Sequence, residues 1–236
     1  MTKFKAILFD LDGTLRHNLP SGGEVFVDHA RRLGLRISEE DRTRGIIWEH
    51  YYFASSPEIK ADSETYKGNS AGFWLNFSRR HLVALGTDPS QAAELASKAS
   101  AYMQEFYKPE AYVPQDAHDL LAFLKDAGYT LGMVSNREKA FHDELKRLNM
   151  DSYFHFSLAG GEVNSYKPDR VIFDRALEMA GTSAQEAMYM GDNYFADVVG
   201  AQRAGLTPVL YDPAHLFPDA ECAVIKSFKE FPELLK

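Results

Sequence analysis

The segment Asp10-Leu11-Asp12-Gly13-Thr14 sets two carboxylates two positions apart, where the apolar run Phe4 to Phe9 meets a turn signal. Alternation along a strand aims residues i and i+2 toward one side, so one acid can attack an electrophile while the other moves protons. Three later segments carry compatible chemistry. Ser135-Asn136 follows an apolar run and offers a hydroxyl and backbone amides to an anion. Lys167-Pro168 brings a cation, and Gly191-Asp192-Asn193-Tyr194-Phe195-Ala196-Asp197 brings one acid in a loop and another near a helix start. Each has an ordinary explanation taken singly. Asp12-Gly13 can be a plain turn, Ser135-Asn136 a helix cap, and Lys167 a solvated cation beside a proline in a first helical turn. Asp192 or Asp197 can simply favour a helix dipole. None of this accounts for all four features falling at the carboxyl ends of predicted strands or in the connections that follow them.

Charge points the same way. Two carboxylates about 4 Å apart repel by roughly 4 kcal/mol at an effective dielectric near 20, and a bound phosphate adds to the repulsion. A hard divalent cation relieves it, and oxygen ligands suit magnesium better than zinc. His17, His50, His81 and His142 are scattered and form no zinc pattern.

The elements that must position these residues follow from periodicity. Lys3 to Asp10 reads as a buried strand. Ala117, Leu120, Leu121, Leu124 and Ala127 repeat at helical spacing and stop before Gly128, after which Tyr129 to Val134 reads as a strand. Phe141, Leu145 and Leu148 mark a helix, His155 to Leu158 a short strand, and Ile172, Phe173, Ala176, Leu177 and Ala180 another helix. Ala187 to Met190 and Thr207 to Tyr211 are strands separated by a helix near Phe195 to Ala204. Such alternation predicts an α/β fold with a parallel sheet covered on both faces, whose ligands lie beyond the carboxyl ends of the strands. Between His17 and Tyr112 the alternation stops and the sequence reads as mainly helical, with Asp88 to Phe106 rich in Ala, Gln, Glu and Lys. A polar loop is expected over Ser55 to Gly72, which holds Pro57, Gly68 and Gly72. The chain therefore divides into an α/β core of residues 1–16 and 113–236 and a helical insertion of residues 17–112.

With 236 residues, 45% of them hydrophobic and 25% charged, the chain can bury a substantial core and fold without a partner. Its net charge of −8 argues against general attraction to nucleic acid or an anionic membrane, although a local basic pocket can still take a phosphate. The single Cys222 cannot form an internal disulfide. No secretory leader or membrane-length apolar run is apparent, so a cytoplasmic location is expected.

In order and placement these residues resemble the four motifs of the haloacid dehalogenase (HAD) superfamily: Asp10 to Thr14, Ser135 with Asn136, Lys167 with Pro168, and Gly191-Asp192 with Asp197. The resemblance covers the core and includes Gly200-Ala201 and Ala204-Gly205. It implies a Rossmann-like core with an inserted helical cap, and a magnesium-dependent phosphatase acting on a small phosphorylated metabolite, as monomer or homodimer. Asp10 would be the nucleophile that forms an aspartyl-phosphate, and Asp12 the acid that protonates the leaving oxygen and then activates water. Magnesium would bind the Asp10 carboxylate, the Asp12 backbone carbonyl and Asp192, with Asp197 supporting the site. Lys167 would neutralise Asp10 and phosphate, while Ser135 and the Asn136 amide would hold phosphoryl oxygens. Many groups are needed, because monoester hydrolysis calls for accelerations approaching about 10²¹ and acid/base catalysis supplies about 10² to 10⁴.

Asp12 counts against a dehalogenase, since the family's dehalogenases lack an acid there. A phosphomutase shares the acid pair and cap and stays open. Asp12 and the insertion count against a phosphoryl-receiver domain, and the intact motifs count against a phosphate-binding scaffold without turnover. In the insertion, Trp48, His50, Tyr51, Tyr52, Phe53, Phe73, Trp74 and Phe77 read mostly as core packing and Arg79 and Arg80 as a solvated helix face, so none is assigned to specificity.

Overall fold

In the computed structural model, which describes residues 4–236, Ala6–Phe9 forms strand β1, all four residues without solvent exposure. Lys3, the predicted start of this strand, lies outside the described residues. The chain continues through β2 (His17–Leu19) into five helices: α1 (Gly22–Arg32), α2 (Glu39–Phe53), α3 (Pro57–Thr65), α4 (Ser70–Ala84) and α5 (Pro89–Phe106). After β3 (Glu110–Tyr112), strands and helices alternate: α6 (Gln115–Asp126), β4 (Thr130–Ser135), α7 (His142–Arg147), β5 (Phe156–Ala159), α8 (Gly160–Val163) and α9 (Arg170–Ala180). They are followed by β6 (Ala187–Gly191), α10 (Val199–Ala204), β7 (Thr207–Tyr211), β8 (Ala223–Ile225) and a 3₁₀ segment, Phe228–Leu235.

Six strands form one parallel sheet in the order β5-β4-β1-β6-β7-β8, and β2 pairs with β3 apart from it. β1 is apolar at every position because both of its faces are covered. Ile7 and Phe9 face a core with Leu120, Leu121 and Leu124 of α6 and with Phe228 and Phe231. Ala6 and Leu8 face the other, with Ile172, Phe173 and Ala176 of α9 and Ala201 and Ala204 of α10. Each such Leu or Phe contributes about 1.5–3 kcal/mol by leaving water. Sequential order reverses at β1, with β4 on one side and β6 on the other, and the crevice beyond the carboxyl ends there is where such sheets hold ligands.

Contacts divide the chain into two compact units, one of the described residues through His17 with Tyr112–Lys236, the other of Asn18–Ala111. In the second, Phe26, Val27 and Ala30 of α1 pack with Leu82 of α4, Leu85, and Ala92 and Ala99 of α5. Ser38 and Asp41 make a reciprocal capping box on α2. No helix among the described residues is long and apolar enough to cross a membrane.

Three expectations for the insertion are corrected. The stretch from Ser55 is not all loop: Pro57 occupies the first turn of α3, and the Ser56 hydroxyl caps it by accepting from the Ile59 N–H. Arg80 is not simply a solvated cation: it is partly exposed, but its Nε lies 2.7 Å from the buried Asp62 carboxylate, which also accepts from Tyr52 Oη at 3.0 Å. Tyr52 and Phe77 are core, but Tyr51, Phe53 and Trp74 are 37%, 39% and 43% exposed.

Candidate active site

At the carboxyl end of β1 the pairing with β6 runs one step further, with the Asp10 N–H donating to the Met190 carbonyl at 2.9 Å. The chain then closes a tight loop, Arg16 N–H donating to Leu11 O and Gly13 N–H to Arg16 O. Gly13 has φ +92°, and a Cβ there would lie 2.4 Å from Asp192 Oδ2, so only glycine lets this loop and the one after β6 approach so closely. Thr14, fully buried, joins the two loops. Its hydroxyl lies 3.2 Å from Asp10 Oδ2 and 2.9 Å from Asp192 Oδ1, and it accepts from the Asp192 N–H at 2.9 Å.

Lys167 reaches into the same place from the connection before α9 and is 2% exposed. Its ammonium has three donors, and the structure gives it three acceptors: Asp10 Oδ1 at 2.6 Å, Asp197 Oδ1 at 2.6 Å and the Tyr189 hydroxyl at 2.9 Å. Tyr189 in turn donates to the Val134 carbonyl at 3.0 Å. Asn136 fixes the backbone of this lysine, accepting from Lys167 N–H at 2.6 Å and donating to Lys167 O at 2.9 Å. The helix cap weighed for Ser135-Asn136 is therefore absent: Ser135 is the last residue of β4 and buried, and α7 begins only at His142. Pro168 likewise precedes the N-cap of α9, which is Asp169.

After β6, Asn193 caps a π-helical turn, Tyr194–Val198, by accepting from the Phe195 and Ala196 N–H groups. The predicted single helix from Phe195 is thus this turn followed by α10. The turn brings Asp197 back so that its Oδ2 accepts from the Asn193 N–H at 2.9 Å. Both Asp197 oxygens are then committed, one to Lys167 and one to the backbone.

One ligand atom from each of Asp10, Asp192 and Asp197 can be chosen so that all lie within 4.8 Å of one another. Burial pushes the Asp10 carboxyl up to about 7; Lys167 opposes that rise and Asp197 adds to it. Burial, with the Asp10 and Asp197 charges, holds Asp192 well above the usual carboxylate range. Burial works against the Lys167 ammonium, but Asp10 and Asp197 more than offset it and keep the lysine charged. Fully ionised, the three carboxylates outnumber the Lys167 ammonium by two charges, a deficit that protons on Asp10 and Asp192 relieve when no metal is bound. That deficit, with an all-oxygen donor set, fits a divalent cation.

The crowding expected between Asp10 and Asp12 is carried instead by Asp10, Asp192 and Asp197. Asp12 has a 41% exposed side chain and is held elsewhere. Arg137 forks onto it, Nε to Oδ2 at 2.7 Å and Nη2 to Oδ1 at 2.9 Å, and Arg16 Nη1 adds a contact to Oδ1 at 3.0 Å. Glu144 lies between the same two guanidiniums, 2.8 Å from Arg16 Nε and 3.2 Å from Arg137 Nη2. Sequence reasoning gave no role to Thr14, Arg16, Arg137, Glu144 or Tyr189. Tyr189 carried a signal, as a hydroxyl inside the apolar run Ala187 to Met190 that needs a buried partner. Arg137 carried only its place next to Asn136.

A family model described as haloacid dehalogenase-like hydrolase matches residues 4–205. The chain is 28% identical over 213 residues to ribulose-1,5-bisphosphate 5-phosphatase of Halopiger xanaduensis, covering 89% of this chain and 85% of that one. It is 28% identical over 206 residues to glyceraldehyde 3-phosphate phosphatase of Methanopyrus kandleri, covering 87% and 82%. Among solved structures, the 2-haloacid dehalogenase of Pseudomonas syringae pv. Tomato superposes with a TM-score of 0.57 at 26% identity over 98% of each chain.

Proposed function

The chain belongs to the haloacid dehalogenase-like hydrolases, and from that premise we propose that it is a magnesium-dependent phosphatase that hydrolyses a small phosphorylated metabolite through an aspartyl-phosphate. The observation that carries this reading is the buried cluster in which Asp10 meets Lys167 at 2.6 Å beside Asp192 and Asp197, with Asp12 two residues away on the same loop.

Asp10 is the nucleophile. One of its oxygens is fixed by Lys167, which leaves Oδ2, 3.2 Å from the Thr14 hydroxyl, as the oxygen that bonds to phosphorus. Asp10, the Asp12 backbone carbonyl and Asp192 would hold magnesium, which supplies positive charge to the phosphoryl oxygens and keeps Asp10 ionised. Asp197, with both oxygens committed, keeps Lys167 placed and charged. Ser135 and the Asn136 backbone amide receive phosphoryl oxygens, while the Asn136 side chain positions Lys167. Asp12 gives a proton to the leaving oxygen as the P–O bond breaks, then takes one from the water that releases phosphate from Asp10. The helical unit Asn18–Ala111 acts as the cap.

Asp12 is also what disfavours a dehalogenase like the solved relative, because a departing halide needs no proton. The two relatives named as phosphatases favour the same side. The test is hydrolysis of p-nitrophenyl phosphate with magnesium: wild type turns over, chelation stops it reversibly, and Asp10→Asn abolishes it. Turnover unchanged by Asp10→Asn or by chelation refutes the mechanism.

A further inference from the structure

Resting on the phosphatase reading, we propose that Arg137, anchored by Glu144, is the positioning residue for Asp12, and that it divides labour between the two Asp12 oxygens. A half-exposed aspartate on a loop has several staggered rotamers, and only some aim its carboxylate at a leaving group. A guanidinium fork removes that freedom because it grips both oxygens in one plane.

Arg137 can do this because it is itself held. Glu144 pairs with its Nη1 and Nη2, and its guanidinium carbon lies 5.5 Å from the centre of the Phe141 ring. The Arg137 hydrogen bond keeps the Glu144 carboxyl below its ordinary range, so the anchor stays ionised. Arg16 closes the ring by touching both acids. With Asp12 ionised, two guanidiniums and two carboxylates alternate and cancel; with Asp12 protonated for the first step, the ring carries one net positive charge.

The contacts are unequal. Oδ1 accepts from Arg137 Nη2 and Arg16 Nη1, whereas Oδ2 accepts from Arg137 Nε alone. Oδ1 is therefore the anchor and Oδ2 the working oxygen. In the first step the Oδ2 proton passes to the leaving oxygen as its bond to phosphorus breaks and the Asp10–phosphorus bond forms. In the second, Oδ2 takes a proton from water as the water oxygen bonds to phosphorus and Asp10 is released.

Misplacing a general acid harms substrates in proportion to how much their leaving group needs a proton, whereas a loss of folding or of phosphate binding harms all equally. The experiment measures kcat/KM, which reports the step through leaving-group departure, for a series of substituted phenyl phosphates with magnesium. Wild type, Arg137→Met and Glu144→Gln are compared. Arg137→Met is expected to lose about 10- to 100-fold more on phenyl phosphate than on p-nitrophenyl phosphate, and Glu144→Gln to steepen the leaving-group dependence by less. A leaving-group dependence within threefold of wild type in both variants overturns the role, whether their overall activity falls or rises. If Arg137→Met does not fold, as judged by its circular-dichroism melt, Glu144→Gln decides alone. Wild-type protein inert toward the whole series overturns the phosphatase reading and this role with it.

Discussion

Among the described residues, Lys167 is the ammonium that meets the cluster of Asp10, Asp192 and Asp197, and replacing it with methionine keeps most of its length while removing its charge. Even beside Lys167, burial pushes the Asp10 carboxyl from 3.8 up to about 7. That rise of roughly three pH units corresponds to about 4 kcal/mol. Between pH 3.8 and 7 native Asp10 therefore keeps a proton that the unfolded chain has lost, and this group makes the metal-free protein less stable as pH rises through that window. Without the ammonium, Asp10 and its neighbours hold protons to still higher pH, and the loss continues above 7. Lys167→Met is thus expected to be destabilised in a pH-dependent way. Its deficit relative to wild type should be smallest near pH 5 and approach the roughly 3–5 kcal/mol of a broken buried pair by about pH 9. With magnesium present, the variant would also lack the charge that neutralises Asp10 and the phosphoryl oxygens, so turnover of p-nitrophenyl phosphate should fall at least about 100-fold. Guanidinium chloride unfolding from pH 5 to 9 in chelator measures the first effect, and steady-state kinetics the second. A stability deficit that does not change with pH, or turnover within tenfold of wild type, refutes the electrostatic account of the cluster.

Other perturbations test separate parts of the site. Gly13→Ala would put a Cβ 2.4 Å from Asp192 Oδ2 and must displace that carboxylate by about an ångström, and a misplacement of that size costs about 10²-fold in rate; activity within threefold of wild type would mean the two loops are not so tightly apposed. Asp192→Asn is expected to weaken magnesium binding about 10-fold or more and to remove magnesium-dependent thermal stabilisation; an unchanged magnesium titration of the melting temperature would exclude it as a ligand. In the helical unit, burial lowers His81 to about 3, so the unfolded chain takes up a proton below pH 6.5 that the native imidazole refuses. Wild type should therefore lose stability relative to His81→Phe by about 1.4 kcal/mol per pH unit as pH falls from 6.5 toward 3. Glu49, 3.4 Å from His81 and raised by burial to about 7, is present in both proteins. A stability difference that is flat with pH would show that His81 is accessible to protons in the folded state.

Much of this fold was legible because its strands are short, apolar and punctuated. β7 runs over Thr207–Tyr211 as read, and β1, β4, β5 and β6 differ from the predicted strands by a few residues at their ends. Those offsets mattered at one point. Ser135 closes β4 rather than following it, and α7 begins at His142, beside the Phe141 that marked it, so the cap weighed for Ser135-Asn136 does not form and Asn136 clasps Lys167 instead. α3 was missed because Pro57 was taken as a breaker, although proline suits a first helical turn. β8 and the segment Phe228–Leu235 give little periodic signal, and what holds Phe228 and Phe231 in the core is tertiary packing. Within the site, residue types and order pointed to Asp10, Lys167, Asp192 and Asp197. Pairings such as Thr14 with Asp192 or Arg137 with Asp12 depend on loop apposition across more than a hundred residues, and no local pattern encodes them.

Two aspartates separated by one leucine end in opposite surroundings, and the difference follows from which cation each one meets. Asp10 faces a primary ammonium, a compact charge with three donors that can be spent on three separate acceptors, here Asp10, Asp197 and Tyr189. Such a contact occupies one carboxylate oxygen and leaves the other with the longer 3.2 Å Thr14 contact, which suits the nucleophile proposed for Asp10. Asp12 faces guanidiniums, and the planar fork of Arg137 takes both its oxygens and fixes the plane of the group, which suits the proton carrier proposed for it. Exchanging the two cation types would undo both arrangements. An arginine at position 167 would bring a larger, planar group into a place that a single buried ammonium fills, while a lysine at 137 would grip Asp12 at one point and let its carboxylate turn. The choice of lysine in the dry site and arginine beside the exposed acid thus does for orientation what the two-residue spacing of the acids does for proximity.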